Sequence, residues 1–172
     1  VLPTHAAEVE GIYYDESYIA DNLKLRLVGV GLLRYWGFKA YTGAFYLEEG
    51  APVNDALADT AKRIELEYFR SIKGKDFGPA TNKKIAKNVD TKTFERLRSR
   101  IDYHNSLYED VEPGDRYSLT YVPGKGTESP VFGLRPVRGG RKCNEKLPKP
   151  RISIRSPVAS ASLICSIRVF TE

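Results

Sequence analysis

The chain has 172 residues, of which 41% are hydrophobic and 28% are charged, and its net charge is +5. These proportions exclude a disordered or fibrous chain, and no apolar run reaches the roughly 18 residues that would cross a bilayer, so we expect no integral membrane segment. The basic excess belongs to residues 129–172, and residues 1–128 have none, so we also expect no nucleic-acid partner.

The first residues resemble the end of a secretory signal. Val1-Leu2-Pro3 is a short apolar stub, and small residues follow it, with a plausible cleavage point after Ala6. We therefore predict a periplasmic or secreted protein. Residues 1–8 are interpreted as the remnant of this signal or as a flexible N-terminus.

Residues 9–48 predict the first strands of an antiparallel sheet. Val9 to Tyr18 is typical of a first strand or hairpin. From Leu23 the chain alternates as a half-buried strand does, and four residues are expected to share one face: Leu25, Leu27, Gly29 and Gly31. Residues 29–48 are rich in aromatic and β-branched residues and lack proline, which predicts two extended segments joined at Trp36-Gly37.

Residues 48–107 predict a strand followed by two helices. After a turn at residues 48–52, Asn54 is expected to cap a short helix, and residues 63–69 alternate as a strand with one wet face. A helix is predicted from Asp76 to Val89, with Pro79 in its first turn. A second helix, capped by Asp90 or Thr91, is predicted to end near residue 107.

A strand over 116–122 and a tight turn over 123–126 complete the regular pattern, and residues 127–128 begin a return strand. Because the two helices are consecutive and do not alternate with strands, we predict an α+β domain over residues 9–128. Its architecture is a large antiparallel sheet covered by a helical layer. Residues 129–172 are predicted to form an atypical basic segment rich in Pro, Arg and Ser.

Several kinds of catalytic site lack their sequence patterns in this chain. There is no glycine-rich phosphate loop, no Gly-x-Ser-x-Gly turn and no His-Glu-x-x-His helix. Cys143 and Cys165 make no zinc site without a histidine cluster, and their spacing does not establish a disulfide. We expect neither a metal ion nor a cofactor.

Four polar residues stand where the predicted sheet and helices should be apolar. Arg34 lies among large apolar residues with no acid between Asp21 and Glu48, and Tyr41 follows on the next segment. Thr81 and Asn88 lie on or beside the apolar stripe of the first helix. Polar groups that converge in an apolar cleft are typical of a small-ligand site. The alternatives are an Arg34 head group that reaches water and helix residues that bond nearby backbone groups.

Several stretches resemble the chalcone isomerase-like family. Residues 38–48 resemble its Lys-Phe-Thr-Ala-x-Gly-Val-Tyr-Leu-Glu strand, and residues 29–34 resemble its Gly-x-Gly-x-Arg approach with one extra residue before the arginine. Residues 78–88 resemble the Gly-Pro-Glu-Tyr-Ser-Arg-Lys-Val-Met-Glu-Asn helix of the plant enzymes. Residues 64–69 and 114–126 resemble the exported bacterial branch of the family.

This resemblance implies an open-faced β-sandwich with a ligand cleft between the sheet and the helices. The plant enzymes close a chalcone to a flavanone there. Carried over by position, their arginine is Arg34 and their asparagine is Asn88, whereas their threonine is replaced by Tyr41 and their tyrosine by Thr81. An arginine with a tyrosine at the threonine position resembles the family's fatty-acid-binding members, in which that pair holds a carboxylate.

Three functions follow as hypotheses. The first is a non-catalytic protein that binds a small amphipathic acid, such as a fatty acid, through Arg34, Tyr41, Thr81 and Asn88. The second is an isomerase of chalcone-like enones in which the same four residues are catalytic. The third is a structural or partner-binding module whose own side chains fill the cleft. The sequence leaves open whether the chain is an enzyme, which amphipathic or aromatic ligand it takes, and its oligomeric state.

Overall fold

A computed structural model describes residues 5–20, 22–35, 37–128, 131–132 and 153–154. Residues 1–4 of the predicted signal remnant and the bend residue Trp36 lie outside the described residues. Cys143, Cys165 and most of the predicted basic segment lie outside them as well. Export therefore stays a prediction, and the pairing of the two cysteines stays open.

The described part of the chain contains ten strands and two α-helices. Their order is β1 (His5–Val9), β2 (Ile12–Asp15), β3 (Ser17–Ala20), β4 (Leu23–Tyr35), β5 (Phe38–Glu48), β6 (Lys62–Tyr68), α1 (Gly74–Asn88), α2 (Thr91–Ser106), β7 (Arg116–Val122), β8 (Gly126–Glu128), β9 (Val131–Phe132) and β10 (Ser153–Ile154). A short 3-10 helix, Val53–Leu57, lies between β5 and β6.

One antiparallel sheet dominates the fold. Its strand order is β10-β8-β7-β6-β5-β4-β3, with β9 paired to β7, whereas β1 and β2 form a separate two-stranded sheet. The helices α1 and α2 follow one another between β6 and β7. Phe77 of α1 and Tyr108 after α2 pack against the buried core of the sheet. The predicted α+β class, a large antiparallel sheet under a helical layer, is confirmed.

The sheet has a core on each side because side chains alternate along its strands. In β5, Phe45 and Leu47 belong to the core beneath the helices, whereas Ala44 and Tyr46 belong to a core shared with the hairpin β1–β2. We call the two sides the helix face and the hairpin face. The helix face also buries Ile64, Leu66, Tyr68, Val111 and Tyr117, and the hairpin face buries Tyr14, Leu25 and Ala61.

A bulge at Val28 changes which residues of β4 share a face. Leu27 lies opposite Tyr46, on the hairpin face, but Gly29 lies opposite Phe45, on the helix face. One extra residue in a strand reverses the in-and-out order that strict alternation would give. The prediction that Gly29 and Gly31 share a face with Leu25 and Leu27 is therefore wrong.

Polar side chains bond the first turns of both helices, and the Tyr108 carbonyl lies close to the first residue of α1. Asp90 caps α2 by accepting a hydrogen bond from the Thr93 N–H, as predicted. α1 begins at Gly74, two residues earlier than predicted, and the Gly74 N–H donates to Asp110 Oδ1 at 2.9 Å. A Cβ at Gly74 would lie 2.5 Å from the Tyr108 carbonyl oxygen, so glycine permits this approach. Neither described helix has the length and apolarity needed to cross a membrane.

Two predicted boundaries in the first half of the chain are wrong. Strand β1 begins at His5, and Ala7 lies opposite Tyr14 of β2, so residues 5–8 belong to a hairpin and not to a flexible N-terminus. Asn54 caps no helix. The 3-10 helix begins at Val53, its N-cap residue is Pro52, and no side chain bonds its first N–H groups.

Candidate functional site

Arg34 lies on the hairpin face of the sheet and not in the predicted cleft. Leu33 lies opposite Tyr41, which packs against the core of the helix face. The next residue therefore points to the other side. The Arg34 side chain is 53% exposed. The prediction of an inward-pointing guanidinium beneath the helices is wrong, and the alternative of a head group that reaches water is observed.

The cause is the one residue by which this chain departs from Gly-x-Gly-x-Arg. In that pattern the arginine follows the second glycine by two residues and shares its face. Here Leu33 occupies that position after Gly31, on the helix face, and the extra residue moves Arg34 to the opposite face. A one-residue insertion in a strand thus removes the cation from the cleft.

Arg34 instead forms an ion cluster with the turn of the β1–β2 hairpin. Glu10 Oε1 lies 3.2 Å from Arg34 Nη2, and Glu10 Oε2 lies 2.5 Å from Lys39 Nζ. The hydrogen bond from Lys39, followed by the charges of Lys39 and Arg34, holds the pKa of Glu10 below its ordinary value. Glu10 adopts φ of 54°, a left-handed conformation that is uncommon outside glycine. The guanidinium therefore has its acidic partner within the chain.

Tyr41 lies on the helix face and contacts an aromatic cluster between the sheet and α1. Its ring meets Tyr68 edge-on, with centroids 5.5 Å apart. Tyr68 in turn contacts Phe77 at 5.9 Å and Tyr117 at 6.0 Å. Burial raises the pKa of Tyr41 to about 12, so its phenol is neutral at pH 7.

Thr81 borders the same cluster through a short polar chain. Thr81 Oγ1 lies 3.5 Å from the Tyr108 hydroxyl, at the long limit for a hydrogen bond. The Tyr108 hydroxyl lies 3.2 Å from Nε2 of His104. The Tyr108 ring stacks on Phe77 with centroids 4.8 Å apart, so this polar chain adjoins the aromatic cluster.

His104 is a buried histidine with one unused ring nitrogen. It is 5% exposed, and its Nδ1 has no hydrogen-bond partner among the described residues. Burial lowers the pKa of His104, so its ring is neutral at pH 7. An unpaired buried polar atom costs free energy, which makes Nδ1 a position that a ligand atom can satisfy. The described ranges contain no group of three His, Cys, Asp or Glu residues placed to hold a metal ion.

Asn88 is exposed near the end of α1 and donates from Nδ2 to the Lys84 carbonyl at 2.8 Å. This is the backbone-bonding alternative stated for it above. The structure thus brings Tyr41 and Thr81 to the layer between sheet and helices, whereas Arg34 and Asn88 lie elsewhere.

His104 and Tyr108 are the polar residues of this layer that the sequence did not lead us to predict. His104 follows Ile101 by three residues on the inward side of α2, whereas Tyr108 lies two residues beyond Ser106, at which α2 ends. Spacing alone could have placed His104 inside. It could not show that Nδ1 would be left without a partner.

The hairpin face carries buried and partly buried charges that are paired within the chain. The Arg63 side chain is 6% exposed and donates from Nε to Glu65 Oε1 at 2.8 Å. Arg116 donates to Glu67 Oε2 at 2.5 Å and to the carbonyl of Tyr13 at 3.1 Å. The contact of Arg116 with Tyr13 joins the hairpin to the sheet, and the two arginines pair with Glu65 and Glu67.

Comparison with known proteins agrees with this architecture. A family model described as chalcone isomerase-like matches residues 6–137, well over half of the 172-residue chain. The crystal structure of a fatty-acid binding protein from Arabidopsis thaliana is similar, with a TM-score of 0.62 and 17% sequence identity over 94% of this chain and 87% of the plant chain. No curated protein sequence matches. The chain belongs to the chalcone isomerase-like family.

Proposed function

We propose that this protein is a non-catalytic member of its family that binds a small amphipathic acid, such as a fatty acid, between the helix face and the helices. The observation that carries the proposal is the buried Nδ1 of His104, which has no partner among the described residues and ends the polar chain through Tyr108 to Thr81. An apolar layer with a few convergent polar groups suits a ligand with a polar head and an apolar tail.

The similarity to a plant fatty-acid binding protein supports the same class of ligand. In this proposal Tyr41 and Thr81 are ligand-binding residues, His104 and Tyr108 join them, and the aromatic rings contact the tail. Arg34 and Asn88 take no part. The first lies on the opposite face beside Glu10, and the second is exposed and bonds its own helix.

Titration of decanoate into the delipidated protein, followed by calorimetry, tests the proposal. Thr81→Trp places an indole beside Tyr108 and should abolish binding. Ala80→Trp is the matched control, because residue 80 is the exposed neighbour of Thr81 on α1. The control should bind as the wild type does, and circular dichroism shows that both variants fold. Equal binding by both variants contradicts the proposal.

A second candidate, a structural or partner-binding module with a filled cleft, is favoured by the density of the aromatic cluster. Tyr68 is 5% exposed and contacts three other rings. The same titration separates the two candidates. A folded wild-type protein that binds no decanoate and releases no lipid on extraction favours the module.

The isomerase alternative finds less support in the geometry. Its chemistry needs a positive charge beside the phenolate, and Leu33 rather than Arg34 lies opposite Tyr41. We expect the protein to leave the absorbance of a chalcone unchanged. Rapid loss of that absorbance, abolished by Thr81→Trp but not by Ala80→Trp, would instead establish the enzyme.

A further inference from the structure

We propose that Arg70 binds the carboxylate of the ligand, so that a fatty acid is held as an anion at the exposed end of the helix face. This inference rests on the proposed function and assigns the residue that binds the head group. Arg34, to which the family's pattern would give this role, lies on the opposite face of the sheet.

The Arg70 guanidinium lies on the helix face, against the first residue of β5. Lys39 bonds Glu10 on the hairpin face, so Phe38, the neighbouring residue of the strand, points to the helix face. The guanidinium carbon of Arg70 lies 4.3 Å from the centroid of the Phe38 ring. Arg70 is exposed and the Phe38 ring is 57% exposed, so this contact forms where the helix face meets the solvent.

This position adjoins the proposed cleft. Arg70 follows Tyr68 by two residues, about 7 Å of extended chain, and Tyr68 lies opposite Tyr41. Helix α1 begins four residues after Arg70, at Gly74, which lies against the Tyr108 carbonyl. Tyr108 also carries the central hydroxyl of the polar chain. The cation, Tyr41 and the polar chain therefore lie at the same end of the helical layer.

Arg70 differs from the other arginines that lie over an aromatic ring. The described residues include four such arginines, and three of them also pair with a carboxylate: Arg63 with Glu65, Arg98 with Glu95, and Arg116 with Glu67. Across the same ranges, the Arg70 side chain has no ion pair and no hydrogen bond. Its charge is therefore positioned by a ring but is not neutralised by an acid of the described chain.

A guanidinium that lies over a ring is well suited to bind a carboxylate. The ring covers one face of the guanidinium, whereas the five N–H donors lie in its plane, and two of them can bind both oxygens of a carboxylate. The exposed Phe38 ring offers an apolar surface to the first methylene groups of the chain. A carboxylate bound here also keeps part of its hydration, which avoids the cost of burying a charge beneath the helices.

Calorimetry with decanoate and with 1-decanol at about pH 7.5, where carboxylic acids are ionised, compares Arg70→Met with the wild-type chain. Methionine keeps a long apolar side chain beside Phe38 but removes the charge and the N–H donors. The decanoate Kd should rise at least about fivefold, as expected for the loss of a partly exposed bidentate ion pair. The decanol Kd should change less than about twofold, because an alcohol has no charge to pair.

Arg98→Met is the matched control. Arg98 is also an exposed arginine over a phenylalanine ring, that of Phe94, but it is paired with Glu95 and lies on α2. This variant should bind both ligands as the wild type does. Arg34→Met changes the residue that the family's pattern would use, and it should also leave both Kd values unchanged.

Arg70→Glu gives a second readout that does not depend on decanol. It reverses the charge at the same position, so a bound carboxylate would meet a like charge. Decanoate should therefore bind more weakly to Arg70→Glu than to Arg70→Met. Equal decanoate affinities of these two variants would contradict a carboxylate at this position.

Two further results overturn the inference while leaving the proposed function intact. One is an unchanged decanoate Kd in Arg70→Met. The other is an equal loss of decanoate and decanol affinity in that variant, which would show that the side chain acts by packing alone. Failure of the folded wild-type protein to bind decanoate would remove the proposed function itself.

Discussion

The two faces of this sheet are covered by different kinds of side chain. On the hairpin face, Arg63 and Arg116 are paired with Glu65 and Glu67, and each charge meets its partner within the chain. The helix face near Tyr41 buries aromatic rings, hydroxyl groups and a neutral imidazole. Ion pairs thus stabilise the hairpin face, whereas Nδ1 of His104, which has no partner among the described residues, lies on the neutral side beneath the helices.

Strand β6 shows how one segment builds both environments. Its residues alternate, so Arg63, Glu65 and Glu67 point to the hairpin face and Ile64, Leu66 and Tyr68 to the helix face. Arg63 also lies 4.0 Å from the centroid of the Tyr18 ring, which shields the guanidinium from water. The sequence predicted that one face of this strand is exposed to water. In the structure both of its faces are covered.

Removing the centre of the helix face should have the largest effect on stability. Tyr68→Ala deletes a buried ring that contacts three others, and we expect the free energy of unfolding to fall by about 3–5 kcal/mol. Tyr103→Ala is the matched control because Tyr103 is 56% exposed, and its effect should stay within about 0.5 kcal/mol. Urea unfolding measures both values. Equal losses would contradict the assigned core.

Breaking a charge pair on the hairpin face should have the next largest effect. Arg63→Met leaves Glu65, whose side chain is 17% exposed, with the more distant Arg116 at 3.9 Å, and should cost about 2 kcal/mol. Adding Glu65→Gln should restore at least half of the loss, because no unpaired charge then remains buried. Arg98→Met, at a side chain that is 52% exposed, is the control. A double variant as unstable as the single one would refute the pairing.

The free energy of unfolding should fall at low pH because the ring of His104 is buried in its neutral form. Because burial lowers the pKa of His104, the unfolded chain binds its proton first as the pH falls. The stability of the wild type should decrease from about pH 6.5 downward through the lower folded-state pKa. His104→Phe should lack this component. A difference between the two proteins that stays constant from pH 7.5 to 4.5 contradicts the buried neutral ring.

The smallest expected effect concerns the exposed ion cluster at the hairpin turn. The pKa of Glu10 should lie below that of an ordinary glutamate when measured by NMR. Its contribution to stability is present above the unfolded-state pKa and disappears as the pH falls through the folded-state value. Lys39→Met should raise the pKa of Glu10 more than Arg34→Met does, because the Lys39 hydrogen bond is the main cause. Lys24→Met, whose partner is Glu49, should leave the pKa unchanged.

The candidate site was only half predictable. The structure places Tyr41 and Thr81 in the layer between sheet and helices, because hydrophobic periodicity locates a buried face directly, and their role in binding stays a prediction. Arg34 was assigned to the wrong face of the sheet. The face that it occupies depends on the register of β4, and one inserted residue moves the side chain to the opposite face. The open nitrogen of His104 depends on what surrounds it, and no local pattern encodes those surroundings.

The sequence by itself determined the two helices, the central strands, their order and the α+β class, because these follow from local periodicity, caps and turns. Only the tertiary structure decided which face each polar residue occupies. It placed a bulge at Val28, left Leu33 and not Arg34 opposite Tyr41, and closed the β1–β2 hairpin over the charged side. The physical reason is that a strand alternates every residue, so a one-residue change in register transfers a charge from one side of the sheet to the other.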